Sequence, residues 1–189
     1  MSSNSLTKWR NERSRSLDEI QAAHATVGGT ARGRRYATLQ INYAYAAILS
    51  SQFQGFCRDL HSESIDYIVA KVPLSYQAFM RVEFVWNRSL DKGNPNPGNI
   101  GNDFNRLGIL FWPNVLALDA RNDRRREMLG KAIDWRNAIA HQDFSKVGGD
   151  PTLHLTQVRA WRRSFGALAD HFDNAMRDHL TLLLGHAPW

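Results

Sequence analysis

The amino-acid sequence predicts an all-α fold, an antiparallel bundle of four to five helices. Apolar side chains recur at steps of three and four residues through several long segments, which is the period of an amphipathic helix. No segment keeps the strict alternation of apolar and polar residues that marks a half-buried strand. Glycine- and proline-rich stretches separate the helical segments, as short connections between antiparallel helices require.

Two long helices are expected at the start of the chain. The first spans 5–26 with Ser5 as its cap, and the glycines that follow make 27–33 a turn or a short loop. The second spans 36–71 and is the longest element, with aromatic side chains at helical spacing. Gly55 lies inside it, where it either permits a close contact with another helix or allows a kink.

Shorter elements are expected in the middle of the chain. A third helix spans 75–90, and the dense turn-forming residues of 91–101 predict a surface loop. That loop lacks the Gly-Lys-Ser/Thr end of a phosphate-binding P-loop. One helical turn is expected at 102–107. The apolar run 109–112 is interrupted by Pro113, which predicts packed coil.

Two further helices complete the predicted bundle. One helical pattern runs over 124–142 and then ends in a loop. A second loop, rich in glycine, occupies 148–151. Thr156 is expected to cap the final helix, 157–184, which carries a continuous apolar stripe and is followed by Gly185.

The totals restrict the class of protein. A chain of 189 residues is expected to form one domain, in which the N-terminal helix and loop (1–35) belong with the helical domain of 36–189. The single cysteine, Cys57, excludes an internal disulfide and a metal site built from several cysteines. No apolar run reaches the roughly 20 residues of a membrane span, and no signal peptide is recognisable. We therefore expect a cytoplasmic protein without membrane contact.

The charge balance is basic, with 24 Lys and Arg residues against 18 Asp and Glu residues and a formal net charge of +6. Such a balance favours polyanionic partners such as nucleic acid. An arginine-rich composition of the whole proteome would give the same excess of positive charge. The charge alone therefore does not distinguish a nucleic-acid partner from such a bias in composition.

The chain carries its most distinctive chemistry near the end of the 124–142 helix. At about 100° per residue, Asn137 and His141 share one face, and Arg136 lies about 140° from His141 on the same flank. Arginine offers a planar fork of donors for a phosphate, and histidine exchanges a proton near neutral pH. The alternative is a surface arginine and a histidine that only complements the C-terminal helix dipole.

The stretch Arg136-Asn137-Ala138-Ile139-Ala140-His141 resembles the Arg-polar-x-x-x-His motif of the HEPN superfamily. The aromatic-rich segment 50–60 is similar to the second helix of the RiboL-PSP-HEPN-like branch. The order of the helices also suits that branch, and the similarity covers about 36–184. Several relatives carry an acidic residue in the aromatic helix where this chain has Gln54.

The resemblance implies a metal-independent endoribonuclease without a cofactor, active as a homodimer that brings two motifs together. It also implies a toxin or phage-defence effector, with RNA as substrate and an antitoxin or defence protein as a possible partner. His141 would act as general base or acid, Arg136 would stabilise charge on the phosphorus, and Asn137 would orient His141 or bind the phosphate. The alternative is a non-catalytic helical module that binds RNA or a partner protein.

Other polar groups carry weaker signals. The remaining histidines show no metal-ligand spacing, and we interpret His171 and His179 as helix-surface residues. Cys57 is interpreted as packing. Trp161 is expected in the core, although it could stack on a base. Two basic clusters are weak candidates for contact with an RNA backbone: Arg124, Arg125 and Arg126, and Arg159, Arg162 and Arg163.

Overall fold

A computed structural model describes residues 1–28 and 35–189, and helices make up most of these two ranges, which contain no strand. The all-α class is therefore confirmed. The predicted loop at 27–33 lies largely outside the described residues. The helices are α1 (Asn4–Lys8), α2 (Ser14–Gly28), α3 (Arg35–Val69), α4 (Leu74–Val85), α5 (Ser89–Lys92), α6 (Pro97–Asn105), α7 (Phe111–Leu118), α8 (Asn122–His141) and α9 (Leu155–Leu184), with a π-helical turn at Trp9–Arg13 and a 3₁₀ turn at Ser145–Val147.

The two longest helices, α3 and α9, lie side by side and run in the same direction. Near the start of α3, the Asn42 amide donates to the carbonyl of Leu153, just before α9, at 2.8 Å. Beyond the middle of both helices, the rings of Phe53 and Phe172 are 5.8 Å apart. This parallel pair differs from a bundle in which every neighbouring helix is antiparallel.

The flanking helices do run antiparallel to α9. On one side, Arg10 pairs with Asp170 and Asp18 pairs with Arg162, so the N-terminal segment runs antiparallel to α9. On the other side, the Trp135 ring of α8 lies 6.4 Å from the Trp161 ring of α9. The earlier Met128 of α8 contacts the later Ser164 of α9, so α8 also runs antiparallel, and both flanking elements run opposite to the parallel α3–α9 pair.

Burial of the aromatic side chains of α3 builds the core. Phe53, Phe56 and Leu60 are fully buried, and the Phe53 ring lies 4.6 Å from the ring of Phe165 in α9. Trp161 is also buried, as predicted for a core residue. Since transfer of each large apolar side chain from water stabilises the fold by about 1.5–3 kcal/mol, this contact is a principal reason for the packing of α3 on α9.

The middle of the chain is more helical than the sequence predicted. The predicted loop 91–101 is wrong in its second half, because α6 begins at Pro97. Proline suits a first helical position, where its missing N–H would have no helical partner, and the Asn96 side chain accepts from the backbone of Asn99 at 2.8 Å. The coil predicted around Pro113 is likewise wrong, since Pro113 lies within the first turn of α7.

The predicted helix 75–90 is interrupted. It ends at Val85, Asn87 adopts a left-handed φ of 59°, and α5 begins at Ser89. The Asp103 carboxylate accepts hydrogen bonds from the backbone of Ser89 and Leu90, both at 2.7 Å. A side chain distant in sequence therefore caps α5, which no local pattern could indicate.

Two smaller predictions concern helix ends and a glycine. Thr156 does not cap the last helix, because α9 already begins at Leu155 with His154 before it. Gly55 permits a close contact, since a Cβ there would lie 2.7 Å from the guanidinium carbon of Arg13. Across the described ranges, no helix combines the length and apolar character needed to cross a membrane.

Candidate functional site

The Arg-Asn-x-x-x-His stretch occupies the last turns of α8. Trp135 and Ala138 are buried against the core, which orients the intervening residues toward the flank of the helix. The helix ends at His141 because Gln142 adopts a left-handed φ of 54°, and the Asp143 N–H donates to the carbonyl of Ala138 at 3.1 Å. This termination leaves His141 exposed at the helix end.

Asn137 holds the guanidinium of Arg136. The Arg136 Nη1 donates to the Asn137 Oδ1 at 3.2 Å, and the Asn94 Nδ2 donates to the same oxygen at 2.6 Å. Within the part of the chain that the structure describes, no carboxylate lies within 4.0 Å of Arg136. The guanidinium therefore keeps most of its donors for a ligand.

Gln54 of α3 anchors the loop that carries Asn94. Its Nε2 donates to the carbonyl of Leu90 at 2.5 Å and to the carbonyl of Gly93 at 2.8 Å. The Asn99 side chain fixes the loop further by donating to the carbonyl of Asn94 at 2.8 Å. An amide can make both bonds from Gln54, whereas an ionised carboxylate has no proton to donate. Gln54 thus has a structural function in this chain.

These groups line an open cleft of about 320 Å³ between α3, α5 and α8, referred to below as the α8 cleft. Lys92 and Arg136 contribute positive charge to the α8 cleft, and the acidic residue in its lining is Asp91. Asp91 is paired with Arg58 and Arg88 outside the cleft lining. The α8 cleft is therefore suited to an anion. Its lining residues are Gln54, Asp91, Lys92, Gly93, Asn94 and Arg136.

His141 does not line the α8 cleft and makes no hydrogen bond with Arg136 among the described residues. It lies near Asp143, whose pKa is lowered mainly by hydrogen bonds from Ser145 and further by the positive charge of Lys146. Of the three predicted residues, the structure brings together Arg136 and Asn137. Asn137 orients Arg136, whereas the sequence had suggested that it orients His141 or binds the phosphate.

The arginines at the start of α8 differ in whether their side chains already contact other residues. Arg124 is exposed. Arg125 pairs with Asp119 at 2.9 Å, and the guanidinium of Arg126 lies over the Trp112 ring, 5.0 Å from its centroid. Arg124 is therefore the most available of this cluster for a phosphate, and an RNA contact for all three stays a prediction.

The arginines of α9 divide in the same way. Arg159 donates to Gln21 at 3.2 Å, and Arg162 pairs with Asp18 at 2.8 Å. Arg163 is exposed. Two of these side chains join α9 to the N-terminal segment, which accounts for their presence without RNA, and their contact with RNA also stays a prediction.

The other polar residues that the sequence singled out are tied to the fold. Cys57 is fully buried, and burial raises the pKa of its thiol well above the usual value, in keeping with a packing role. His179, interpreted as a helix-surface residue, is half-buried in α9 and bonds to the carbonyl of Leu107 at 2.9 Å. Among the described residues, no group of three His, Cys, Asp or Glu side chains is placed to hold a metal ion.

Sequence reasoning missed Asn94 and Lys92 as cleft residues. The Asn-Pro-Asn-Pro run around Asn94 indicated a turn, but nothing local indicated that it faces Asn137, 43 residues later. Comparison of the chain with family models, with curated proteins and with solved structures found no match.

Proposed function

We propose that the protein is a metal-independent endoribonuclease of HEPN type, a toxin or phage-defence effector that cuts RNA through Arg136 and His141. The observation that supports this most is the guanidinium of Arg136. It faces an open basic cleft without a carboxylate partner among the described residues, and Asn137 holds it in place. A planar fork of donors in that setting matches the oxygens of a phosphodiester.

The proposed reaction uses the 2′-hydroxyl of the substrate. The 2′-oxygen attacks the adjacent phosphorus while a base takes its proton, and the 5′-oxygen of the next nucleotide leaves and receives a proton. The products are a 2′,3′-cyclic phosphate and a 5′-hydroxyl. His141 serves as the proton-transfer group, and Arg136 stabilises the charge that builds on the phosphorane-like transition state.

The proposal includes a homodimer, because Arg136 and His141 of one chain do not meet. The aromatic side chains Phe53 and Phe56 of α3 are buried inside the protomer, so they do not form the contact between two copies. The exposed apolar face of α4 offers a different contact surface. This face consists of Tyr76, Phe79, Val82 and Trp86, which are 53–69% exposed.

A second copy of the chain is the occupant that this α4 face favours. An isologous contact places a surface against itself, and these four side chains carry no charge, so their apolar area can pack against its own copy; the exposed Glu83, which shares this side of α4, would lie at the rim of such a contact. Side chains of this size expose on the order of 100 Å² each, so a twofold contact of the four would bury about 800 Å² in total, and neighbouring residues would have to contribute the rest of the roughly 1,000 Å² that a specific interface needs.

The second candidate function is a non-catalytic module that binds RNA or a partner protein such as an antitoxin. The position of His141 favours it, since this side chain is exposed and outside the α8 cleft. In that case Arg136 would bind phosphate without any proton transfer.

The test is incubation of purified protein with total RNA in EDTA, using wild type, Arg136→Ala and His141→Ala. Loss of either group should slow cleavage at least about 100-fold, the usual contribution of a general acid or base. Matched controls are Arg177→Ala and His186→Ala, which remove the same residue types away from the α8 cleft and should cleave normally. Identical RNA profiles for wild type and both motif variants would refute the nuclease proposal.

A further inference from the structure

A second basic cleft, of about 490 Å³, lies on the outer face of α3 and is referred to below as the α3 cleft. Its basic side chains come from three places in the sequence: Arg13 from the N-terminal segment, Arg58 from α3 and Arg88 from the turn before α5. The small residues Ser51, Gly55 and Ser62 form its floor along α3. No sequence motif unites these residues, and the proposed reaction does not use them.

Arg88 forms the fixed wall of the α3 cleft. Its side chain is 8% exposed and bonds to both oxygens of Asp91, at 3.0 and 2.9 Å, and to the Ser62 hydroxyl at 3.0 Å. Burial would raise the pKa of Asp91, but the hydrogen bonds from Arg88 and the charge of Arg58 hold it below its ordinary value. Asp91 is therefore ionised and already neutralised by arginine, and Asp59, the carboxylate that lines the α3 cleft, is paired with Lys8 and Arg13.

Arg58 keeps unused hydrogen-bond donors that face the α3 cleft. Its Nε pairs with Asp91 at 2.8 Å, and its side chain is 47% exposed. Its two terminal nitrogens have no acceptor among the residues that the structure describes. Four N–H donors in a planar fork, held at one end by a carboxylate, match two oxygens of a phosphate.

Arg13 completes the cleft from the opposite side. Its terminal nitrogens bond to Gln52 at 2.9 Å and to Asp59 at 2.7 Å, while its Nε is buried without a hydrogen-bond partner. Gly55 makes this position possible, since a Cβ there would lie 2.7 Å from the guanidinium carbon of Arg13. Because that Nε is shielded from solvent, Arg13 would act on a ligand in the cleft through its positive charge and the remaining N–H groups of its terminal nitrogens.

The α3 cleft adjoins the α8 cleft, because Gln54 lines both. Along α3, the distance from Gln54 to Ser62 is about 12 Å at 1.5 Å per residue. Stacked nucleotides advance about 3.4 Å along a strand, so this distance corresponds to about three to four nucleotides. Together the two clefts are lined by five basic side chains and two acidic ones: Arg13, Arg58, Arg88, Lys92 and Arg136, with Asp59 and Asp91.

We propose that the α3 cleft is a phosphate-binding subsite, in which Arg58 and Arg13 hold a backbone phosphate of a single strand a few nucleotides from the phosphate at Arg136. The identity of the strand as RNA rests on the proposed function. The binding of phosphate rests on the α3 cleft itself. Since only the backbone is contacted, single-stranded DNA of the same length should bind there too.

The test measures binding and not cleavage. Fluorescence anisotropy with a labelled single-stranded DNA of about ten nucleotides gives the dissociation constant over a salt series for wild type, Arg58→Gln and Gly55→Ala. Each variant should weaken binding about 5- to 10-fold at low salt, and Arg58→Gln should reduce the slope of log K against log salt by about 1. Gly55→Ala acts by displacing Arg13 and leaves every charge in place.

Arg177→Gln is the matched control, since it removes one positive charge from α9 outside both clefts, and it should bind within twofold of wild type. Circular dichroism checks that each variant is folded. Wild-type affinity in both Arg58→Gln and Gly55→Ala, or an equal loss in Arg177→Gln, would overturn the subsite. If strand binding depends on Arg58 but the protein does not cleave RNA, the subsite is supported and the nuclease is refuted. If the protein cleaves RNA but strand binding does not depend on Arg58, the nuclease is supported and the subsite is refuted.

Discussion

Gln54 shows how one side chain can determine the shape of a site by fixing a neighbouring loop. Its amide joins α3 to the carbonyls of Leu90 and Gly93, and the loop so fixed presents Asn94 to Asn137. Asn137 in turn holds Arg136. An acidic residue at position 54 would place a carboxylate against two carbonyl oxygens. The glutamine, which the sequence comparison with the HEPN motif pattern marked as a departure, therefore suits the contacts that position 54 makes in this chain.

Gln54→Glu should destabilise the protein by about 1–3 kcal/mol, because two hydrogen bonds are lost and like partial charges face each other. Urea unfolding at pH 7 measures the change in the free energy of unfolding. Gln52→Glu is the matched control, because Gln52 accepts a hydrogen bond from Arg13 and a carboxylate accepts it equally well. Equal stability of Gln54→Glu and wild type would contradict the anchoring role.

At the scale of the elements, α4 is the helix that one chain leaves uncovered. It contains no buried residue, and its exposed face is apolar and aromatic. Large apolar patches on a surface mark sites of association, so α4 is the surface that the proposed dimer would use.

Phe79→Glu should convert the dimer into a monomer, because a twofold contact would bring two carboxylates close together in an apolar interface. Light scattering over a concentration series measures the molar mass. Leu182→Glu places the same charge on a more exposed apolar position of α9 and should leave the dimer intact. If the wild-type protein stays monomeric at the highest concentration, both the proposed dimer and the proposed composite site are refuted.

At the scale of the whole molecule, His61 links the stability of the fold to pH. It is fully buried, its Nε2 lies 3.1 Å from the carbonyl oxygen of Asp103, and its Nδ1 has no hydrogen-bond partner. Burial, reinforced by the positive charge of Arg88, lowers the pKa of His61 from 6.5 to about 4. The imidazole is therefore neutral in the folded protein and donates its Nε2 proton to Asp103.

The sign of the pH dependence follows from the protons bound in each state. Between pH 6.5 and about 4 the unfolded chain binds a proton at His61 that the folded chain does not, so stability falls as the pH falls through this range. The loss should approach about 3 kcal/mol near pH 4. His61→Gln should flatten the slope between pH 6.5 and 4.5, measured by urea unfolding, whereas the exposed control His186→Gln should keep it. An unchanged slope in His61→Gln would contradict this account.

The sequence by itself determined the helical class, the position of the four long helices and the location of the Arg-Asn-x-x-x-His stretch near the end of α8. These features depend on local sequence, because the helical period repeats every few residues and a helix ends at a residue in the left-handed conformation. The burial of Trp161 and Cys57 followed in the same way from apolar stripes.

Only the tertiary structure decided which side chains meet. The cap of α5 by Asp103, the bond from Asn94 to Asn137 and the anchoring by Gln54 all join residues far apart in the chain. The parallel course of α3 and α9 and the union of Arg13, Arg58 and Arg88 in one cleft arise likewise from packing. Local periodicity shows which face of a helix is buried, but the partner of that face depends on how all the helices pack at once.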